Sequence, residues 1–294
     1  MKRTLEDNIV DGVNYFLLAI VFLVTLYPFY YLIIISFNDG VDATLGGIYF
    51  WPREFTTINY TTLIGDPKWI LAFFVSVLRT VVGVVLGVCC TCLVAYGLAK
   101  KHLMFKKTYF ALFIVGMYVS GGIIPLYVVL RGLHLLNSFW VYVIPGMLNI
   151  FLLFIAISFF REIPAELEES AKIDGASDLK IFFSVVLPIS KPLLATMALF
   201  TGVGQWNAWL DSAYFVQNES LRTLTYRMME VINKANIPVD LQGQGAELAA
   251  QAAQATPYSL QITAMVISVI PIICVYPFLQ KYFVKGATLG AVKG

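Results

Sequence analysis

The chain alternates long apolar runs with short charged interruptions, and the length of the runs decides what they are. A helix needs about 20 apolar residues to cross the hydrocarbon core of a bilayer. Six stretches meet that need: Val13–Ser36, Thr80–Ala99, Tyr109–Leu130, Phe139–Phe160, Leu193–Phe215 and Tyr258–Tyr282. The first follows Met1-Lys2-Arg3, but it is too long for a signal-peptide core and lacks a small-residue cleavage site, so it is expected to stay as an anchor. The pattern predicts an all-α, polytopic membrane protein of one domain, residues 1–294.

Cytoplasmic loops retain Lys and Arg, which gives the expected orientation. With both termini inside, the cytoplasmic side holds Lys2, Arg3, Lys100, Lys101, Lys106, Lys107, Arg161, Lys172, Lys180, Lys191, Lys281, Lys285 and Lys293. The outer side holds Arg53, Lys68, Arg131, Arg222, Arg227 and Lys234. The imbalance favours N-in, C-in. Two outer segments are substantial. Asn38–Trp69 is expected to lead into a short interfacial helix over Trp69–Leu78. The segment 216–257 is too long and polar for a simple turn; its Ala246–Ala255 portion has high helix propensity behind a break at Gly243 and Gly245.

Composition agrees. Charged residues are 13% of the chain and apolar ones 59%, against about 25% charged in a soluble domain. The near balance of 20 Lys+Arg and 18 Asp+Glu gives no support to a nucleic-acid partner. Cys89, Cys90, Cys92 and Cys274 lie in apolar runs without CxxC spacing, and His102 and His134 are not near them, so they read as packing residues rather than metal ligands.

One interruption is unlike the others. Residues 161–192 form about thirty polar or amphipathic positions between two spans, where an ordinary connection needs only a few. Pro164 suits a helix start, and Glu166, Glu168 and Glu169 suit its positive end. Gly175 stands where a residue of positive φ would stop that helix. Ser177 can cap a second helix, in which Leu179, Phe182, Phe183 and Val186 recur at helical spacing as one apolar face. A capped, charged hairpin of this size implies something in the cytoplasm that docks on it.

Glu169-Ser170-Ala171, then Gly175, then Val185-x-Leu187-Pro188 resembles the EAA signature of binding-protein-dependent ABC importer permeases. Ser170 stands for the usual first Ala and Val185 for the usual Ile, both shape-preserving changes. Ala95-Tyr96-Gly97-Leu98-Ala99-Lys100, Ile124-Pro125-Leu126-Tyr127, Leu136-Asn137-Ser138 and Trp206-Asn207-Ala208-Trp209 extend the likeness to sugar-importing members. Among these the chain is similar to the shorter, six-helix partner of the maltose-type permease pair, and to permeases for acidic polysaccharide fragments such as alginate or rhamnogalacturonan.

The resemblance implies a type I importer permease fold in a bacterial cytoplasmic membrane, paired with a second and different permease. It implies two cytoplasmic ATPase subunits, which supply all ATP and Mg chemistry, and an extracytoplasmic binding protein that delivers a carbohydrate. The chain itself would be non-catalytic, would bind no cofactor and has no G-x-x-x-x-G-K-[ST] loop. Docking on the ATPase would fall to Glu168, Glu169, Ser170, Ala171, Asp174, Gly175 and Ala176, with Glu169 facing a basic residue. The segment 216–257 would reach into the binding protein; the competing reading is a solvated loop.

Polar groups at membrane depth usually face a cavity or the bundle interior. Gln205, Trp206, Asn207, Trp209 and Asp211 combine amides, a carboxylate and indoles, which suit sugar hydroxyls and pyranose faces. The indoles read equally as interfacial anchors, and Gly202 and Gly204 as close helix packing. Tyr118, with Ser120, Gly121 and Gly122, either lines the path or marks a kink ahead of Pro125. Arg79 is either a counter-ion for an acidic sugar or, as the apolar run beginning just after it favours, a side chain snorkelling to the outer headgroups. The rivals are an ion-coupled secondary transporter, an intramembrane enzyme and a non-transporting scaffold that uses the same hairpin; the first two leave the hairpin unexplained.

Overall fold

The computed structural model describes residues 5–235 and 255–291. Contacts divide the chain into two compact units, Met1–Pro67 with Met228–Ile270, and Lys68–Arg227 with Pro271–Gly294. The expected helix over Ala246–Ala255, with Gly243 and Gly245 before it, lies outside the described residues but for Ala255.

In the first unit α1 (Leu5–Ser36) is apolar all round, and nearly every side chain from Ile9 to Ile33 is exposed on the isolated chain. Such a helix is covered by lipid or by other protein. It ends at a buried polar knot. Asp39 caps the short α2 (Gly40–Thr44) by accepting from the N–H of Val41 and Asp42. Asn59, in α3 (Ile58–Gly65), donates to the carbonyls of Ser36 (3.1 Å) and Asn38 (2.9 Å), and its own Oδ1 accepts from Ser259. The first of these bonds satisfies the Ser36 carbonyl, which the end of α1 leaves open.

The second unit opens with α4 (Pro67–Ala99), a single unbroken helix. The separate interfacial helix expected over Trp69–Leu78 is its first third, because Arg79 sits inside a continuous helix instead of at a boundary. The single helix expected over Tyr109–Leu130 is instead two, α5 (Lys106–Tyr118) and α6 (Ile123–Gly132), bent by 116°. Gly122, at φ +80°, makes the reversal without strain on a side chain. The stretch Phe139–Phe160 consists of two 3₁₀ turns, Phe139–Tyr142 and Ile144–Gly146, and then α7 (Ile150–Arg161), with a 49° bend. Pro145 brings no N–H to the ladder, and Asn149 restarts the helix by accepting from the N–H of Leu152 (3.1 Å).

Next come α8 (Ala165–Ile173), α9 (Asp178–Ile181), a π turn over Phe182–Val186 and α10 (Leu187–Ile189). The Leu193–Phe215 stretch is also two helices, α11 (Lys191–Asn207) and α12 (Leu210–Phe215). A 3₁₀ turn over Glu219–Leu221 leads to α13 (Leu224–Ala235), and the described chain closes with α14 (Pro257–Ala291). Among the described residues three helices are long and apolar enough to span a bilayer, and counting each bent pair as one span raises the number to at most six. The core of the second unit lies where α4, α7, the π turn and α11 meet, around Cys92, Ala95, Tyr96, Leu153, Ile157, Phe182 and Met197.

Candidate functional site

The hairpin is closed by backbone bonds that its sequence dictates. Gly175 takes φ +77°, and its N–H reaches the Lys172 carbonyl (3.0 Å) while the Ala176 N–H reaches that of Ala171 (3.0 Å). This paired 5→2 and 6→1 arrangement seals the end of α8. Ser177 opens α9 by accepting from the N–H of Lys180. The regular apolar stripe expected in the second helix does not hold. Pro188 cannot donate, and its ring crowds the carbonyl four residues back. The helix widens instead, with Leu187 N–H bonded to Phe182 O. Ile181, Phe182 and Val186 are buried as a result, whereas Leu179 and Phe183 are exposed.

The seven hairpin residues singled out in the sequence divide between two faces of α8 and its turn. Glu169, Ser170, Asp174 and Gly175 are exposed, together with Ile173, which is 87% exposed. Glu168, Ala171 and Ala176 are half-buried, and the two alanines pack on the chain's own core. Glu168 forms a short ion pair with Lys100, just past the end of α4. Lys100 Nζ also donates to the Tyr96 hydroxyl (2.5 Å) and lies 3.8 Å from Asp178. Burial alone would lower the pKa of Lys100, but the bonds to Glu168 and Tyr96 outweigh it and hold the pKa above the ordinary lysine value.

The second cluster surrounds Arg79, which is 1% exposed. It does not snorkel; it points inward from α4. Its Nε and one terminal nitrogen donate to Gln205 Oε1 (3.2 and 3.0 Å), and the other donates to the Ala208 carbonyl (3.0 Å). Asp211 takes a bond from each terminal nitrogen, at 3.1 and 2.5 Å. All five guanidinium N–H donors are thereby used. Tyr142 lies under the plane, its ring 4.5 Å from the guanidinium carbon. The break in the fifth apolar stretch falls at the same place: Ala208 ends α11, Asp211 lies in the first turn of α12, and Arg79 bonds to both.

A cavity of about 280 Å³ lies beside this cluster. Of the pathway residues expected from sequence, Arg79, Gln205 and Asp211 line it. Tyr118, Trp206, Asn207 and Trp209 do not. Tyr118 is 79% exposed at the end of α5, and Asn207 is exposed. Trp206 is buried edge-on against Phe73, and its carbonyl accepts from Thr225 (2.7 Å). Trp209 is half-buried ahead of α12. The lining adds Tyr142, Asn149, Phe200 and Thr201, which sequence reasoning missed. The break at Pro145-Gly146, which leaves Asn149 outside a regular helix, was the available signal for Asn149.

A family model described as "Binding-protein-dependent transport system inner membrane component" matches residues 2–288. Protein LplC of Bacillus subtilis is 36% identical over the whole of this chain and 98% of its own length. The polygalacturonan/rhamnogalacturonan transport system permease protein YtcP of the same organism is 33% identical over the whole of both chains. A crystal structure of a bacterial ABC transporter involved in the import of the acidic polysaccharide alginate includes a chain that matches with a TM-score of 0.83 at 27% identity, covering 96% of this chain and 99% of that one.

Proposed function

This chain belongs to the family of binding-protein-dependent transport system inner membrane components, and we propose that it forms half of the translocation pathway of an importer for acidic oligo- or polysaccharides. It is a multi-pass membrane protein and a non-catalytic ABC permease subunit with the type I permease fold. The cargo reading rests on similarity over the full chain to a permease named for polygalacturonan and rhamnogalacturonan and to a chain of an alginate importer.

In this reading the chain sits in the cytoplasmic membrane with both termini inside and pairs with a second, different permease. An extracytoplasmic binding protein delivers the sugar, and two ATPase subunits carry ATP and Mg. The hairpin docks on one ATPase through its outward face, Glu169, Ser170, Ile173, Asp174 and Gly175. Its sealed turn gives that face the stiffness needed to transmit force. ATP-driven closure of the ATPase pair biases the permease between inward- and outward-open states. In the cavity Asn149, Thr201 and Phe200 meet the sugar, two polar groups beside an aromatic surface. Arg79, Gln205 and Asp211 form its frame.

The observation that carries the reading is the family match over nearly the whole chain. Purification from the native membrane in mild detergent tests it. A second permease and an ATPase should accompany the wild-type chain, and the ATPase should be lost from Glu169→Lys. Recovery of the chain alone, with no associated ATP hydrolysis, would overturn it.

A further inference from the structure

Lys100 stands immediately after the last residue of α4 and reaches both helices of the hairpin: Glu168 in α8 through a short ion pair, and Asp178 at the start of α9 at 3.8 Å. One turn earlier, Tyr96 packs on Phe160, at the end of α7, and on Phe182 in the π turn. The end of α4 is thus enclosed by the segment that enters the hairpin, both of its helices and the segment that leaves it. Lys106 donates to the Lys100 carbonyl (3.1 Å) and anchors the same point.

The same helix runs without a break to Arg79. At 1.5 Å per residue, Lys100 and Arg79 lie about 30 Å apart along the axis. Between them α4 fits tightly against α11. A Cβ on Gly83 would stand 2.9 Å from the Gln205 side chain, one on Gly87 3.6 Å from Thr201, and one on Gly202 3.4 Å from Val84. Small residues at such a crossing let the two helices approach closely. Arg79 then holds α11 and α12 at the cavity wall.

We infer that Lys100 and Glu168 are positioning residues for transport: the ion pair makes α4 a rod that carries movement of the hairpin to the cavity wall. Glu168 thereby acts within the chain, while Glu169 beside it faces outward. The inference rests on the proposal that the hairpin docks on an ATPase.

The test uses the purified importer in lipid, with Cys89, Cys90, Cys92 and Cys274 replaced and Thr201→Cys as a reporter in the cavity. The rate of thiol labelling is measured with and without Mg-ATP and vanadate. Trapping should change that rate in the parent and in Lys100→Arg, which keeps the cation. In Lys100→Met and Glu168→Gln the ATPase should still associate and hydrolyse ATP, but the labelling response should shrink at least about fivefold, the lower end of usual coupling effects. A full response in both neutralised variants would overturn the inference, as would its loss in Lys100→Arg as well. Retention of the ATPase by Glu169→Lys would instead sink the docking proposal, so the two failures are distinguishable.

Discussion

Two ion pairs, Arg79–Asp211 from within α4 and Lys100–Glu168 from the residue that follows it, join this part of the chain to later ones. Their surroundings differ. The Arg79 side chain is 2% exposed, and every donor it owns is used inside the protein. The Lys100 and Glu168 side chains keep 30% and 24% of their surface, with exposed Asp178 and Lys172 alongside. A charge left alone where its side chain is almost wholly buried is poorly hydrated, whereas one at a rim is not. Removing a partner from the first pair therefore threatens the fold, and removing one from the second spares it. The protein has one pair suited to holding a wall and another suited to transmitting a push.

Substitutions can break that contrast. Asp211→Ala should cost about 3–5 kcal/mol, the usual penalty of stranding a buried charge, read as thermal unfolding of the purified complex. Arg79→Met with Asp211→Leu should recover much of the loss. If Asp211→Ala proves no worse than Glu168→Ala, burial is not what separates the pairs. Gly83→Ala should cost about 1–3 kcal/mol by overpacking, because its Cβ displaces Gln205 and with it two of Arg79's bonds. Lys100→Met should shift the same unfolding transition by less than about 1 kcal/mol, as partly exposed pairs do.

A third pair calibrates the exposed limit. Glu219 is held below the usual carboxylate range, chiefly by its hydrogen bond from Arg227, with the charges of Arg227 and Arg222 adding to it. A depressed carboxylate stabilises the fold above its unfolded pKa, and that contribution is lost as pH falls through the folded value. The difference in melting temperature between wild type and Glu219→Gln should therefore be largest near neutrality and vanish in acid. It should be the smallest effect of the set, since Glu219 is 57% exposed. A difference that persists unchanged at low pH would remove ionisation as its source.

The hairpin was legible because its signals are local. Gly175 and Ser177 each act within a few residues of where they stand, and the structure has them stopping and starting helices as their positions imply. The Arg79 cluster was not legible. Its partners lie 126 to 132 positions away in sequence, and an apolar run beginning one residue later has the look of a membrane boundary. The break at Ala208 was equally hidden, for no Gly or Pro marks it; the arginine that ties both sides belongs to another helix. The π turn falls between these cases, with Pro188 as a visible cause and no visible size of response.

The full commitment of Arg79 has an evolutionary consequence. Because its donors are all taken by the protein, the cavity has a fixed frame and a separate, editable lining of Asn149, Phe200 and Thr201. On the function proposed above, a lineage with this architecture would reach a new cargo by single substitutions in the lining, leaving the Arg79 frame as it is.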